Sequence, residues 1–238
     1  MKSRLFASSS TDDLIQLLQA WRFWLLAGLL GALLGWVAYV VFPPQFRARA
    51  TVVVDFNMEQ AWPVDSDREL FYYLEREARK LEDVAWSDNV MTTVVNGVGG
   101  TTVEELRSDV LELSEPSDGG WQFYATDPDP ARAEQLASTW ANTFTDKTLQ
   151  AIDNAVVLDA TRKALETNPK DETLLAGVSE LEAASLGITP ELQVSLQQEK
   201  DLKPVRRVPL GNYVFAGAVS FMVLSVLAVL FFGKDGRA

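Results

Sequence analysis

The stretch from Phe23 to Phe42 limits what this chain can fold into more than any other part, because its twenty residues carry no charge. At about 1.5 Å of rise per residue, a helix of that length reaches roughly 30 Å, which is the thickness of the hydrocarbon core of a bilayer. The alternative is a buried helix of a soluble protein, but such helices usually keep polar residues on one face. We therefore expect residues 23–42 to form a transmembrane helix.

A second uncharged run, from Val208 to Gly233, lies near the other end of the chain and contains a second predicted transmembrane helix, 212–233. The apolar spacing of Leu14, Leu17 and Leu18 predicts a short interfacial helix within the leader, 1–22. Residues 43–211 remain for a single domain of ordinary size, and 234–238 form a short tail.

The orientation of the two spans depends on the basic residues that flank them. Lys2, Arg4 and Arg22 precede the first span and Lys234 and Arg237 follow the second, but as many basic residues flank the spans on the loop side. Because long loops translocate largely regardless of charge, the residues before the first span carry more weight. We expect both termini in the cytoplasm and the domain outside the cytoplasmic (inner) membrane, in the periplasm of an organism that has one.

The composition excludes several classes of function. The chain has no cysteine and no histidine, so it has no thiolate or imidazole zinc ligands, no histidine-dependent catalytic triad and no cysteine nucleophile. Its formal charge of -12 repels nucleic acid, and we expect no nucleic-acid partner. No phosphate-binding glycine loop is present, and the sequence predicts no cofactor.

Asp127 and Asp129 form the one D-x-D motif, which in some glycosyltransferases holds a divalent metal. The alternative is that both carboxylates cap a helix, because Pro130 and a helical apolar pattern follow them. Capping explains both acids without a ligand. We predict no metal site and no catalytic residue, and the chain is not expected to be an enzyme.

The domain mixes strand and helix patterns. Residues 46–56 alternate between apolar and polar, which predicts a strand directly after the first span. In chain order we next predict a helix from the capping box at Ser66 to Asn96-Gly97 and a short helix opened by Thr102 and Glu105. Strands are predicted at 110–113 and 121–126, joined by a turn, and a long helix from Asp129 to Thr167 follows them. A helix at 171–186, capped by Gly187, precedes a last strand at 192–197, for which a helix starting at Pro190 is the alternative.

The predicted fold class is therefore an α/β (α+β) extracytoplasmic domain, with a small sheet and long helices, held between two transmembrane helices. Inside the spans, Gly31 and Gly35 form a G-x-x-x-G pair beside Ala27, and Gly217 lies between Ala216 and Ser220. Small residues allow membrane helices to approach closely, although glycine is common in such helices in any case. The candidate sites of membrane-helix packing are these glycines and the approach to the second span: Gly31, Gly35, Pro204, Pro209, Gly211 and Gly217.

Four segments in a fixed order carry a resemblance to a known family: DLIQLLQAWRFW before the first span, FRARATVVVDF after it, ATDPDPARAEQLASTWANTF at the start of the long helix, and KPVRRVP before the second span. This order resembles that of the Wzz-type polysaccharide co-polymerases, also called chain-length determinants. The resemblance covers nearly the whole chain.

The resemblance implies a non-enzymatic function. Protomers would assemble into a homo-oligomeric ring in membrane lipid and, with a polysaccharide polymerase, set the chain length of an exopolysaccharide, a capsule or a lipopolysaccharide O-antigen. A lipid-linked glycan is a further implied partner, and a tyrosine kinase, if one takes part, would be a separate chain. Two alternatives remain open: a transmembrane adaptor that activates such a kinase in capsule synthesis, and a two-span extracytoplasmic ligand sensor.

Overall fold

The computed structural model describes residues 21–57, 67–114, 120–197 and 203–232. Contacts between Cα atoms divide the chain into two units. One contains the two apolar helices, and the other runs from Phe46 to Val205. The predicted interfacial helix before residue 21, the capping residue Ser66, the turn at 116–119 and the tail at 234–238 lie outside the described residues.

The described elements follow one another in this order: α1 (Trp21–Val41), β1 (Phe46–Asp55), α2 (Asp67–Ala85), α3 (Asp88–Val98), α4 (Val103–Glu105), a π-helical turn (Leu106–Val110), β2 (Leu111–Leu113), β3 (Trp121–Asp127), α5 (Pro130–Thr167), α6 (Glu172–Ala184), β4 (Gln193–Gln197), β5 (Val205–Arg206) and α7 (Leu210–Phe232).

Two helices, α1 and α7, are long and apolar enough to cross a membrane. The candidate membrane-spanning segments are Trp21–Val41 and Leu210–Ala228. Their exposed surfaces consist largely of leucine, valine and phenylalanine side chains, as expected for helices that face lipid. By length and composition, the chain therefore fits a two-span membrane protein.

The second unit combines helices with a small antiparallel sheet, which confirms the predicted mixture of the two. The strand order is β2-β3-β1-β4, and β5 also pairs with β1. β1 pairs with β3 in a register that places Phe46 opposite Asp127 and Val52 opposite Trp121. β4 pairs with the other edge of β1, which confirms the strand predicted over 192–197 and makes the helical alternative wrong.

The core lies between one face of this sheet and α5. Trp121, Phe123 and Ala125 alternate along β3 and are all buried, as their spacing predicts. From α5, the rings of Trp140 and Phe144 pack against Phe123, with centroid separations of 4.7 and 5.1 Å. The first half of the long helix is thus fixed to the sheet by aromatic contacts.

The D-x-D motif lies at the start of α5, where both carboxylates serve the helix end. Asp129 is the N-cap residue, and its Oδ1 accepts a hydrogen bond from the Ala131 N–H at 3.0 Å. Asp127 accepts one from the Asp129 N–H at 2.8 Å and pairs with Arg132 at 3.4 Å. The predicted helix start is confirmed. In the described part of the chain, no group of three or more acidic residues could hold a metal ion.

The helix predicted from Ser66 to Asn96-Gly97 is divided into two helices in the structure. We expected it to continue through Val94 and to stop at Asn96-Gly97, but α2 ends at Ala85 and α3 begins at Asp88. Ser87 causes the break: its hydroxyl accepts a hydrogen bond from the Val90 N–H, so it caps a new helix. The predicted stop is also wrong, because α3 runs to Val98 and ends at Gly99, whose φ is +73°.

The end of α6 also differs from the expectation that Gly187 caps it. The helix ends at Ala184, and Ser185 is the C-cap residue. Two residues with left-handed backbone follow, Leu186 at φ +53° and Gly187 at φ +68°. Glycine adopts this conformation without strain, but leucine does not, so the chain turns one residue earlier than the position of the glycine indicates.

Gly120 and Gly177 form a matched pair for testing the glycine positions in this unit. Gly120 has φ +93°, and a Cβ there would lie 2.5 Å from the Val52 carbonyl oxygen, so Gly120→Ala is expected to lower stability by about 1–3 kcal/mol. Gly177 lies inside α6, where a Cβ meets nothing within 4 Å. Gly177→Ala is expected to raise stability by about 0.5–1 kcal/mol. Urea unfolding of the detergent-solubilised protein measures both changes, and equal effects of the two substitutions would contradict the geometry.

Glu105 provides a test of pH dependence. Its carboxylate accepts hydrogen bonds from the Thr102 N–H at 3.0 Å and the Thr101 hydroxyl at 3.1 Å, and these bonds lower the pKa of Glu105. A lowered pKa in the folded state means that the stabilisation is complete above the unfolded-state pKa and is lost as pH falls through the folded-state pKa. Glu105→Gln keeps an acceptor oxygen but cannot titrate. Between pH 6 and pH 3, the melting temperature of the wild type is therefore expected to fall further than that of the variant, and parallel curves would contradict this assignment.

Candidate functional site: the contact between the two apolar helices

Glycines bring α1 and α7 into backbone contact. A Cβ added to Gly31 would overlap the Gly217 carbonyl oxygen, and one added to Gly217 would overlap the Gly31 carbonyl oxygen. A Cβ on Gly35 would overlap the Tyr213 carbonyl oxygen. No residue with a side chain fits at these positions unless the helices separate, so the small-residue row sets the distance between them.

The order of these contacts makes the two helices antiparallel. Gly28 faces Met222, Gly31 faces Gly217, and Gly35 faces Tyr213, so the residue number rises along α1 as it falls along α7. A Cβ added to Gly28 would collide with the terminal methyl group of the flexible Met222 side chain. The same Cβ would lie 3.6 Å from the Met222 Cγ. A methionine end can move, so this third contact is more adaptable than the two that involve backbone.

Gly28 is a contact residue that was not predicted from the sequence. The small-residue row was predicted to include Ala27, which is buried as well, but it is Gly28 whose missing side chain makes room for Met222. The signal was present in the sequence, because Gly28, Gly31 and Gly35 are spaced by three and four residues and share one helix face.

Tyr39 and Arg206 lie at the end of the helix pair where α1 finishes and α7 begins. The ring of Tyr39 meets that of Tyr213 edge-on, with centroids 5.4 Å apart. The guanidinium of Arg206 lies 5.3 Å from the centroid of the Tyr39 ring and donates a hydrogen bond to the Pro44 carbonyl at 3.1 Å. Aromatic and basic side chains of this kind are typical of the lipid–water interface.

The remaining predicted packing residues lie in or beside the approach to α7. Pro204 is in the extended segment just before β5, and Pro209 directly precedes the helix, where its carbonyl accepts a hydrogen bond from the Asn212 N–H at 3.0 Å. Gly211 is the second residue of α7, and a Cβ there would meet nothing within 4 Å. The structure therefore brings Gly31, Gly35 and Gly217 together and places Pro204, Pro209 and Gly211 elsewhere.

The second unit holds buried or paired polar groups that serve the fold. Burial raises the pKa of Tyr73, which lies in α2. One turn on, the buried Glu77 pairs with Lys80 at 2.7 Å, and the Lys80 ammonium also donates to the Gly187 carbonyl. On α5, a hydrogen bond to Asp159 raises the pKa of Lys163. These groups are paired within the protein, as expected of structural ion pairs.

Comparisons with known proteins give no family for the chain. No family model matches it, and no curated protein matches it significantly.

Proposed function

We propose that the protein is a non-enzymatic polysaccharide co-polymerase that sets the chain length of a surface polysaccharide. The observation that carries the proposal is the order of the parts. Two apolar helices packed through glycines precede and follow, along the chain, a unit in which β1 starts five residues after α1 and a helix of 38 residues follows β3. This is the order of parts that the resemblance to the Wzz-type family rests on.

The end of α1 and the start of α7 lie close together. The Arg207 N–H donates a hydrogen bond to the Gln45 carbonyl at 2.9 Å, so the chain leaves the first helix and enters the second at neighbouring points. A segment that begins and ends at neighbouring points is compatible with protomers that repeat one contact around a closed ring.

The proposed working arrangement has both termini in the cytoplasm and the α+β unit outside the cytoplasmic membrane, assembled with further copies of the chain. A polysaccharide polymerase and the lipid-linked glycan that it extends are the proposed partners. The glycan would be an exopolysaccharide, a capsule or an O-antigen. In this mechanism the chain transfers no group itself, which agrees with the absence of cysteine and histidine from its sequence.

The direct test is the length distribution of the surface polysaccharide in the organism of origin after deletion of the coding sequence. We expect deletion to shorten or broaden the distribution and the intact chain to restore it. Complementation with Gly31→Leu is expected to fail, because that side chain would force the apolar helices apart, whereas Gly211→Leu is expected to succeed, because open space surrounds it. An unchanged distribution after deletion of this chain and of any paralogue would overturn the proposal.

A further inference from the structure

A cavity of about 300 Å³ opens at the surface of the second unit, where three parts of the chain meet. One wall is a face of α5, a second is the junction between α2 and α3, and the third is the end of α6 with the turn after it. This volume is at the lower end of the range for small-molecule sites and has room for about one or two sugar-sized rings.

The wall that α5 contributes is a single helix face. Four residues of α5 line the cavity: Lys147, and Gln150, Ala151 and Asn154, which follow it by three, four and seven positions. Residues at this spacing lie one above another along a helix. The long helix therefore presents a cation, two amides and a small residue to the same space.

Lys147 gives the cavity its charge. It is the only charged residue of the described lining, in a chain whose formal charge is -12. Its neighbours three and four positions away on the helix are Thr143, Phe144, Gln150 and Ala151, and none of them is acidic. Among the described residues, no carboxylate lies within ion-pair distance of its ammonium, whereas Lys163 on the same helix is paired with Asp159 at 2.6 Å. The Lys147 ammonium is thus available to an anion from outside.

Amide side chains supply the remaining polar groups. Asn89 comes from the start of α3, and Gln150 and Asn154 come from α5. The Asn154 Nδ2 donates to the Ala184 carbonyl at 3.3 Å, which fixes the side chain and leaves its Oδ1 to accept a hydrogen bond. Neutral amides that can both donate and accept match the hydroxyl groups of a ligand. The buried Val84 provides an apolar surface beside them.

The third wall contains Leu186, the non-glycine residue at φ +53° after α6. A residue other than glycine in this conformation costs about 1 kcal/mol or more, and such residues persist where the surrounding structure requires their position. The Leu186 side chain is 50% exposed and lies at the edge of the cavity.

We propose that this cavity binds a small hydroxylated anion. Lys147 would pair with the carboxylate or phosphate, and Asn89, Gln150 and Asn154 would bind the hydroxyl groups. A carboxylated sugar and a phosphorylated sugar share this chemistry. Binding in this cavity does not depend on polysaccharide length control, so either proposal can fail while the other holds.

The experiment is saturation-transfer NMR on the full-length protein in detergent, at constant ionic strength. The probes are glucuronate and glucose 1-phosphate, with glucose, acetate and inorganic phosphate as their neutral and bare-anion counterparts. We expect glucuronate or glucose 1-phosphate to bind at least about tenfold more tightly than all three counterparts, because a charge-assisted bond and the amide contacts act together. The tighter of the two identifies the anionic group.

Lys147→Gln is expected to weaken binding of the better probe at least about tenfold. Lys163→Gln removes the same charge from the same helix outside the cavity, and it is expected to leave binding unchanged. Asn89→Ala, at an exposed position, is expected to weaken sugar binding but not acetate binding, with an unchanged circular dichroism melting curve for each variant as the test of folding. The proposal is overturned by absence of binding for both sugar anions, by equal binding of bare phosphate or acetate, or by equal effects of Lys147→Gln and Lys163→Gln.

Discussion

The substitution Gly31→Leu is expected to separate the two apolar helices. Gly31 and Gly217 contact each other through backbone atoms, and a Cβ on Gly31 would also lie 2.7 Å from the Cβ of Phe221. Backbone cannot move aside as a side-chain end can, so the helices must shift by the width of the added group. In lipid, where apolar surfaces gain little from association, the loss of close packing removes most of the attraction between helices.

The absence of cysteine from the chain makes this separation measurable. Gly28→Cys and Met222→Cys place two thiols across the helix contact, because a Cβ on Gly28 lies 3.6 Å from the Met222 Cγ. Oxidation in the membrane is expected to join them, as shown by protection from a maleimide-polyethylene glycol reagent. Adding Gly31→Leu is expected to slow this reaction by about tenfold or more.

Gly211→Leu is the matched control for Gly31→Leu, because it adds the same side chain to an apolar helix at a position where a Cβ meets nothing within 4 Å. We expect cross-linking of the cysteine pair to proceed at the unmodified rate in that background. Equal rates in the Gly31→Leu and Gly211→Leu backgrounds would show that the glycine row does not set the distance between the helices.

Trp140→Ala is expected to produce the largest loss of stability of any single change in the second unit. The Trp140 side chain is fully buried, and its rings lie 4.7 Å from those of both Trp86 and Phe123. Its indole N–H donates to the Ala85 carbonyl at 2.9 Å. Truncation leaves a large cavity and an unsatisfied buried carbonyl, and together these should cost about 3–5 kcal/mol.

Denaturant unfolding of the full-length protein in detergent, followed by far-UV circular dichroism, measures this loss. Trp140→Phe retains a ring but not the N–H, so its effect should be intermediate, at about 1–3 kcal/mol. Leu149→Ala changes a side chain that is 42% exposed on the same helix, and it should cost about 1 kcal/mol or less. A loss below about 1 kcal/mol for Trp140→Ala would contradict the described core.

Elements with a long or repeated pattern were predicted well from the sequence. The alternation along β1 and β3 and the Asp-Pro start of α5 each depend on several residues that agree, so local signals and tertiary packing point the same way. The sheet order could not be predicted, because pairing β1 with both β3 and β4 depends on contacts between residues far apart in the chain. No local pattern encodes such contacts.

The errors fall where one residue decides the local conformation. Ser87 interrupts an apolar helical pattern that would otherwise continue from α2 into α3, and a single hydroxyl is a weak signal within a strong periodicity. After α6, Ser185 is the C-cap residue and both Leu186 and Gly187 have left-handed backbone, whereas Gly187 was predicted to cap the helix. In both cases a single position sets where a helix begins or ends, and the surrounding pattern does not reveal it.

For the candidate site, the glycine spacing indicated a helix contact but not the partner of that contact. A G-x-x-x-G pair serves equally for contact within a chain and between chains, and the structure pairs Gly31 and Gly35 with α7 of the same chain. The cavity beside Lys147 gave no sequence signal, because its walls come from three segments that are distant in the chain.

The mass of the assembled protein is the most direct test of the proposed ring. The full-length chain would be extracted in mild detergents and, separately, into lipid nanodiscs, and its mass determined by native mass spectrometry over a wide concentration range. A co-polymerase is expected to give one discrete assembly of several 26.4 kDa protomers that persists on dilution. A monomer or dimer at every workable concentration, in both environments, would contradict the proposed ring.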